Sequence, residues 1–269
     1  MKQFTDMKRI VVKIGSSSLT HSGGGLNLRK IDRIAMVLSD IKNMGKEVIL
    51  VTSGAVSAGM AKLGMRERPS IMREKQAAAA VGQCELMFIY DKYFSEYGQT
   101  IAQLLLTRDV TTQDTQRENA LATLETLLDR GAIPIINEND SIAVEEFSYG
   151  DNDTLSAITA TLVDADLLVL LSDIDGLYTA SPAEDPDAEL IPVVEGFDPA
   201  LYGIAGGSGS KVGTGGMVTK LHAVEIAFQK KIPVVLGSAA DPGILYDILE
   251  GSFTGTLFRP EERKEGEGR

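Results

Sequence analysis

Short apolar runs alternate along the chain with longer segments in which apolar residues recur every three or four positions. The runs predict strands at residues 10–14, 47–52, 100–106, 132–136, 167–171 and 233–236. The longer segments predict helices at residues 28–44, 71–97, 117–130, 154–164 and 219–230. Gly45, Gly98 and Gly131 follow three of these helices as stop signals. This alternation predicts an α/β fold with a mainly parallel sheet and helices on both faces.

The composition is that of an ordinary globular protein, with 269 residues of which 43% are hydrophobic. A net charge of −12 argues against a broad surface for nucleic acid or anionic membranes. Cys84 is the only cysteine, which excludes an internal disulfide and fits a reducing cytoplasm. No signal segment precedes the first strand, and no window approaches the ~20 apolar residues of a membrane span. We therefore expect a cytoplasmic protein with one domain at residues 1–260 and a charged, disordered tail at 261–269.

Polar, glycine-containing turns follow the first two predicted strands, at the sheet edge where open parallel sheets bind ligands. Lys13 lies inside an apolar strand and needs an anionic partner if it is buried, although a lysine reaching out from an edge strand is an equal alternative. Ser53 and Gly54 open a helix whose N-terminus could hold a carboxylate or phosphate. The plainer interpretation is that Ser53 is a helix N-cap.

Short acids and amides cluster at residues 137–140 and again at residues 150–153. A helix cap would explain Asp151 or Asn152 but not both clusters. These side chains could receive an ammonium group, orient a lysine or hold Mg²⁺ through water, and the residues themselves leave these roles open.

Glycines at 213, 215 and 216 precede a helix that carries Lys220 in its first turn. Backbone amides there could cradle phosphates while Lys220 reaches their oxygens, although the spacing does not fit a Walker motif and a lone glycine-rich loop is weak evidence. Asp173, at the end of the very apolar fifth strand, could bond a nucleotide's sugar or base, or an ordinary Asp-Gly turn could explain the segment. Taken together, these loops indicate a phosphoryl-transfer site.

Six segments resemble the motifs of the glutamate 5-kinase family: Val-Val-Lys-Ile-Gly-Ser-Ser, Val-Thr-Ser-Gly-Ala, Ile-Asn-Glu-Asn-Asp, Gly-Asp-Asn-Asp-Thr-Leu-Ser-Ala, Asp-Gly-Leu-Tyr-Thr and Gly-Thr-Gly-Gly-Met-Val-Thr-Lys. The match runs from about Lys8 to Pro260, and the Gly-Asp-Asn-Asp and Gly-Thr-Gly-Gly-Met elements distinguish this family from other amino acid kinases. The resemblance implies a three-layer αβα sandwich that binds ATP, Mg²⁺ and glutamate and forms glutamyl 5-phosphate, the first intermediate from glutamate to proline.

By matching positions, the resemblance also implies residue roles. It implies catalytic Lys13, Lys220 and Asp153; glutamate-binding Ser53, Gly54, Asp140 and Asn152; and ATP-binding Lys13, Ser172, Asp173, Thr214, Gly215, Gly216, Met217, Val218, Thr219 and Lys220. We name no residue as a direct ligand of the metal. It further implies a homo-oligomer, functional coupling to glutamyl phosphate reductase, and feedback inhibition by proline through residues 141–150.

Three departures from the family pattern stand out. Many members carry a C-terminal PUA domain, and we expect this protein to be a form without it. Ser172 stands where the family often has threonine, and Asn119-Ala120-Leu121 where it commonly has Asn-Ala-Arg.

Two alternative functions remain from the sequence. A sibling such as acetylglutamate kinase, aspartokinase or a nucleoside monophosphate kinase could share the architecture and both lysines. A non-catalytic nucleotide or amino-acid sensor could also use this fold. The two Asn/Asp clusters favour free glutamate as the substrate, and the joint presence of Lys13, Asp153 and Lys220 argues against a sensor, which needs no transition-state charge compensation.

Overall fold

The computed structural model of the protein describes residues 4–21, 25–107, 109–142, 152–205 and 216–261. The strands in these ranges are β1 (Arg9–Ile14), β2 (Glu47–Val51), β3 (Ile101–Leu106), β4 (Ile133–Glu138), β5 (Leu167–Ser172), β6 (Val193–Glu195), β7 (Val234–Ser238) and β8 (Thr256–Arg259). The helices are α1 (Ser16–Leu19), α2 (Leu28–Asn43), α3 (Ala55–Lys62), α4 (Met72–Glu96), α5 (Asp109–Thr112), α6 (Asp114–Asp129), α7 (Asn152–Leu162), α8 (Leu201–Ala205), α9 (Met217–Phe228) and α10 (Ile244–Glu250).

The eight described strands form one sheet in the order β3-β4-β2-β1-β5-β7-β8-β6. Every pair from β3 to β7 is parallel, whereas β8 runs antiparallel to β7 and pairs in parallel with β6. The predicted mainly parallel sheet is therefore confirmed. Because β1 lies between β2 and β5, the alternative that Lys13 reaches out from an edge strand is wrong.

Helices cover both faces of the sheet and confirm the three-layer αβα sandwich. Helices α2, α4 and α10 pack on the face that carries Ile10 and Val12, and α6, α7 and α9 pack on the face that carries Val11. Side chains alternate between the faces of a strand, so Lys13 shares the face of Val11. That alternation points the lysine towards α7 and α9.

All six predicted strands and all five predicted helices are present, with ends within three residues of the prediction. Gly45, Gly98 and Gly131 have φ of +87°, +70° and +71°, which confirms them as left-handed helix stops. Cys84 is an exposed residue of α4, as expected. Among the described residues, no helix has the length and apolar character needed to cross a membrane. The predicted tail lies, apart from Glu261, outside the described residues.

Candidate active site

A buried aspartate between two lysines lies where β1, α7 and α9 meet. The Asp153 carboxylate is 2.5 Å from Lys13 Nζ through Oδ1 and 3.1 Å from Lys220 Nζ through Oδ2. The relative exposures of the three residues are 0%, 4% and 2% for Asp153, Lys13 and Lys220. The fold thus brings Lys13 next to Asp153 and Lys220, which are far from it in the sequence, as the family resemblance implied.

One strand and two helices supply the charged side chains of this cluster. Lys13 comes from the central strand β1, Asp153 from the first turn of α7 and Lys220 from the first turn of α9. Helices α7 and α9 pack against each other over the carboxyl ends of β1 and β5. The Thr219 hydroxyl lies 2.9 Å from Asp153 Oδ2 and 2.7 Å from the Gly216 carbonyl oxygen, which ties α9 to α7. We call Lys13, Asp153, Thr219 and Lys220 the Asp153 cluster.

The charge state of Asp153 follows from these neighbours. Burial alone would raise the pKa of its carboxyl group, but the charges of Lys13 and Lys220, with hydrogen bonds from Lys13 and Thr219, outweigh it and lower the pKa to about 2. Asp153 is therefore ionised at neutral pH. One carboxylate facing two ammonium groups leaves the cluster with one net positive charge, which suits an anionic ligand.

Asn152 links α7 to the ends of β2 and β4. Its Nδ2 lies 2.5 Å from the Thr52 carbonyl oxygen, 2.8 Å from Ser53 Oγ and 2.9 Å from Asn137 Oδ1. The side chain therefore faces the neighbouring strands. Asn137 in turn donates from Nδ2 to Gln83 Oε1 at 2.8 Å.

Ser53 is not the N-cap of α3, so that alternative interpretation is wrong. The cap is Gly54, with φ of +101°, a backbone conformation that residues with a side chain rarely adopt. Its left-handed turn directs the chain from β2 into α3, with Ser53 next to Asn152.

Asp140 follows β4 and is half-buried. Burial raises the pKa of its carboxyl group, against the opposing charges of Lys75 and Arg68. The structure thus gathers Ser53, Gly54, Asp140 and Asn152 at the carboxyl ends of neighbouring strands β2 and β4 and at the start of α7.

A groove of about 630 Å³ opens beyond β5, beside the start of α9. It is lined by residues 173–178, 180–184, 204 and 205 together with Gly216 and Met217. Asp173 is exposed in it and accepts a hydrogen bond from Ser172 Oγ at 2.9 Å. Val218 follows in α9, half-buried, whereas Thr214 and Gly215 lie outside the described residues. The size is within the range of small-molecule binding pockets.

Two buried polar contacts near the site were not predicted. Gln83 lies on the face of α4 that also buries Ala79, Gly82 and Leu86. A polar residue within this apolar face was the one sequence signal that could have identified it. Tyr90, about two turns further along α4, shares a 2.8 Å hydrogen bond with Thr52 Oγ1. Both residues support the strand ends from which Ser53 and Asn137 emerge.

An αβα sandwich that buries two lysines around one aspartate, beside a groove of nucleotide size, is the arrangement expected of a phosphotransferase that acts on small molecules. A family model described as "Amino acid kinase family" matches residues 8–238. The chain belongs to the amino acid kinase family and, within it, to the glutamate 5-kinases, which confirms the resemblance seen in the motifs.

Curated relatives support the narrower group. A glutamate 5-kinase from Listeria innocua is 52% identical over 261 residues, covering 96% of this chain and 95% of the relative. One from Clostridium perfringens is 50% identical over 96% of this chain and 97% of its own length. Another, from Moorella thermoacetica, is 49% identical over 96% of this chain and 68% of its own length.

Solved structures with lower identity share the fold. UMP kinase from Ureaplasma parvum has a TM-score of 0.65 at 17% identity, covering 94% of this chain and 99% of that one. An isopentenyl phosphate kinase from T. acidophilum has a TM-score of 0.63 at 22% identity, covering 94% and 100%. At these identities the likeness establishes the architecture alone.

Proposed function

We propose that the protein transfers the γ-phosphoryl group of ATP to the side-chain carboxylate of L-glutamate, giving L-glutamyl 5-phosphate, the first step from glutamate to proline. The observation that carries this proposal is the Asp153 cluster, in which Lys13 and Lys220 meet at one buried carboxylate. The glutamate 5-kinases that match nearly the whole chain support the choice of substrate.

Phosphoryl transfer depends on positioning the reactants and on offsetting charge at the phosphoryl oxygens. Lys13 and Lys220 supply that charge, and Asp153 holds both ammonium groups in place. The accepting carboxylate is already ionised at neutral pH, so the reaction needs no general base. The two histidines, His21 and His222, are accordingly given no role.

The two substrates would occupy adjacent parts of the sheet edge. Glutamate would lie at Ser53, Gly54, Asp140 and Asn152, near the ends of β2 and β4. ATP would lie in the groove beyond β5, with Ser172 and Asp173 at its nucleoside end and residues 214–220, including Lys220, at its phosphates. Because β1 lies between β2 and β5, this arrangement puts Lys13 between the substrates, where the phosphoryl group must pass.

Magnesium would accompany ATP. Among the described residues, no group of three or more histidine, cysteine, aspartate or glutamate side chains is arranged to hold a metal ion. At nucleotide sites, Mg²⁺ commonly takes only one or two carboxylates from the protein and its other ligands from phosphate oxygens and water. We therefore propose that ATP and water would supply most of its ligands here. When bound, Mg²⁺ would offset negative charge on the phosphate groups of ATP, beside Lys13 and Lys220.

The decisive experiment is a hydroxamate assay with ATP and hydroxylamine, run in parallel with L-glutamate, N-acetylglutamate and L-aspartate. The proposal expects hydroxamate with glutamate and little with the other two. Strong preference for either of the others would identify a sibling activity, and ATP binding without turnover on any acceptor would identify a sensor.

Proline inhibition, self-association, a cytoplasmic location and coupling to glutamyl phosphate reductase belong to the same proposal. Of the predicted proline segment, residues 143–150 lie outside the described residues. Titrating the initial rate with proline at low glutamate tests the first of these, and a flat response would remove it. Light scattering on purified protein tests self-association.

A further inference from the structure

A chain of buried amide groups connects helix α4 to the proposed glutamate site. Gln83 Oε1 accepts from Asn137 Nδ2 at 2.8 Å, and Asn137 Oδ1 accepts from Asn152 Nδ2 at 2.9 Å. Gln83 is 8% exposed and Asn137 is 2% exposed. We call Gln83, Asn137 and Asn152 the amide relay.

Backbone groups at both ends determine which atom of each amide faces which neighbour. The Glu138 N–H can only donate, so the Asn137 atom 2.9 Å from it must be the carbonyl Oδ1. The Thr52 carbonyl can only accept, so the Asn152 atom 2.5 Å from it must be Nδ2. Asn137 Nδ2 must then find its acceptor elsewhere, and Gln83 Oε1 is that acceptor.

This polarity determines what the site offers to a ligand. With Nδ2 engaged, Asn152 is left with Oδ1, which makes no hydrogen bond to the described residues and can only accept. Ser53 Oγ accepts from Asn152, so its hydroxyl hydrogen can be donated to a ligand. An acceptor beside a hydroxyl donor suits a ligand with one ammonium and one carboxylate group.

We propose that Gln83 is a positioning residue that, as the buried acceptor for Asn137, stabilises the polarity set by the backbone and so helps the site select an α-amino diacid over the same diacid without its ammonium group. The inference rests on the proposed function, because it takes glutamate to bind at Asn152. Without the Gln83 acceptor, the buried Asn137 Nδ2 loses its hydrogen bond, which weakens the orientation in which Asn137 Oδ1 accepts from Asn152. Asn152 Oδ1 is then held less firmly towards the substrate ammonium.

The test compares L-glutamate with glutarate, which has the same two carboxylates but no ammonium group. In Gln83→Met, which keeps the length of the side chain but removes the oxygen, kcat/KM for glutamate should fall about 10- to 100-fold, the range for a hydrogen bond to a charged group. The KM for ATP and the kcat/KM for glutarate should stay near wild type. The preference for glutamate over glutarate should therefore fall by the same factor.

Two further variants sharpen the comparison. Gln83→Glu keeps an acceptor oxygen for Asn137. Gln83 Nε2 makes no hydrogen bond to the described residues, so this change breaks no donated bond. Most of the preference for glutamate over glutarate should therefore return. Gln99 is the matched control, because it is also 8% exposed and hydrogen-bonded, to Lys42 and Asn43, but lies before β3, at the amino ends of the strands and away from the site. Gln99→Met should leave the preference unchanged.

The outcomes separate the inference from the proposed function. Equal losses on glutamate and glutarate in Gln83→Met, or an unchanged preference, would overturn the inference, since a merely structural role affects both diacids alike. If Gln83→Met does not fold, Gln83→Ala removes the acceptor without adding volume and is judged in the same way. If the wild type forms no hydroxamate from glutamate, the proposed function fails, and the calorimetric affinities for the two diacids still decide whether Gln83 sets the preference.

Discussion

Asp153 holds together the two lysines to which the proposed mechanism assigns the phosphoryl transfer. Its carboxylate forms ion pairs with two ammonium groups, one at each oxygen. A buried ion is costly without a partner, so each lysine depends on the aspartate more than the aspartate depends on either lysine. Removing one lysine therefore leaves a neutral pair, whereas removing the aspartate leaves two buried positive charges.

This asymmetry predicts the effect of Lys220→Ala. The Lys13–Asp153 pair remains, so the variant should fold, but it loses a positive charge proposed to face the transferring phosphoryl group. We expect kcat to fall by about 100-fold or more, as for loss of a preorganised transition-state contact. Lys230→Ala is the control, since Lys230 lies on the surface just after α9, paired with Asp164. Near-normal turnover in Lys220→Ala would contradict the role.

The groove beyond β5, where ATP is proposed to bind, gives a second prediction about a single residue. Asp173 is exposed at the groove and proposed to bond the nucleoside, so Asp173→Ala should raise the KM for ATP about tenfold, a typical cost for one charge-assisted hydrogen bond. The KM for glutamate should not change. Asp187→Ala, in an exposed acidic segment nearby along the chain, is the control. A larger effect on glutamate than on ATP would place Asp173 in the wrong subsite.

At the scale of single residues, the sequence singled out the charged residues of the Asp153 cluster but missed Gln83 and Tyr90, which lie behind the site. Lys13 stood out because a charge inside an apolar strand demands an explanation, and Asp153 and Lys220 stood at helix starts beside glycines or short polar residues. Gln83 carried only the weak signal of a polar residue on an apolar stripe. Its partner Asn137 is 54 positions away, a pairing that only the packing of α4 against β4 reveals.

Among the elements, helices α3 and α4 cross more closely than side chains allow. A Cβ atom on Gly82 would lie 1.7 Å from the Ala55 carbonyl oxygen, and one on Gly59 would lie 1.7 Å from the Ala78 carbonyl oxygen. Two glycines therefore let the two backbones touch. Since α3 begins directly after Gly54, the crossing also fixes where the Ser53 turn lies.

Gly82→Ala should force these helices apart. We expect a loss of about 1–3 kcal/mol in the free energy of unfolding, the range for overpacking, although alanine is the better helix former. The KM for glutamate should rise as the Ser53 turn shifts, and urea unfolding with steady-state kinetics measures both effects. Gly203→Ala in α8 is the control, because its new Cβ would meet nothing within 4 Å. A stabilised Gly82→Ala variant would disprove the close crossing.

Elements with strong patterns were predicted, and those defined by tertiary contact were not. The six parallel strands are mainly apolar runs, whereas β6 has only three residues and pairs with β8 across 64 positions of sequence. Helix α3 was harder to predict because Gly59, which lowers helix propensity, lies in its interior. Its glycine serves the crossing with α4, a requirement that no local pattern expresses.

For the molecule as a whole, the Asp153 cluster joins three elements that are distant in sequence: β1, α7 and α9. The ion pairs therefore form only when the fold does, so their loss affects global stability as well as the proposed catalysis. They also make that stability depend on pH, since protonating Asp153 removes the negative charge that both lysines face.

The folded-state pKa of Asp153 is about 2, below its usual 3.8, so the carboxylate stabilises the fold fully above the usual value and loses this contribution as pH falls through about 2. The difference corresponds to roughly 2 kcal/mol. Urea unfolding from pH 6 to pH 2 should show this loss in the wild type. Asp153→Asn should be less stable at pH 7 by about 3–5 kcal/mol, because two buried ammonium groups no longer face a negative charge. Its unfolding free energy should also change less between pH 5 and pH 2 than that of the wild type. Exposed Asp187→Asn should follow the wild-type curve. An Asp153→Asn curve as steep as the wild type would show that the acid sensitivity resides elsewhere.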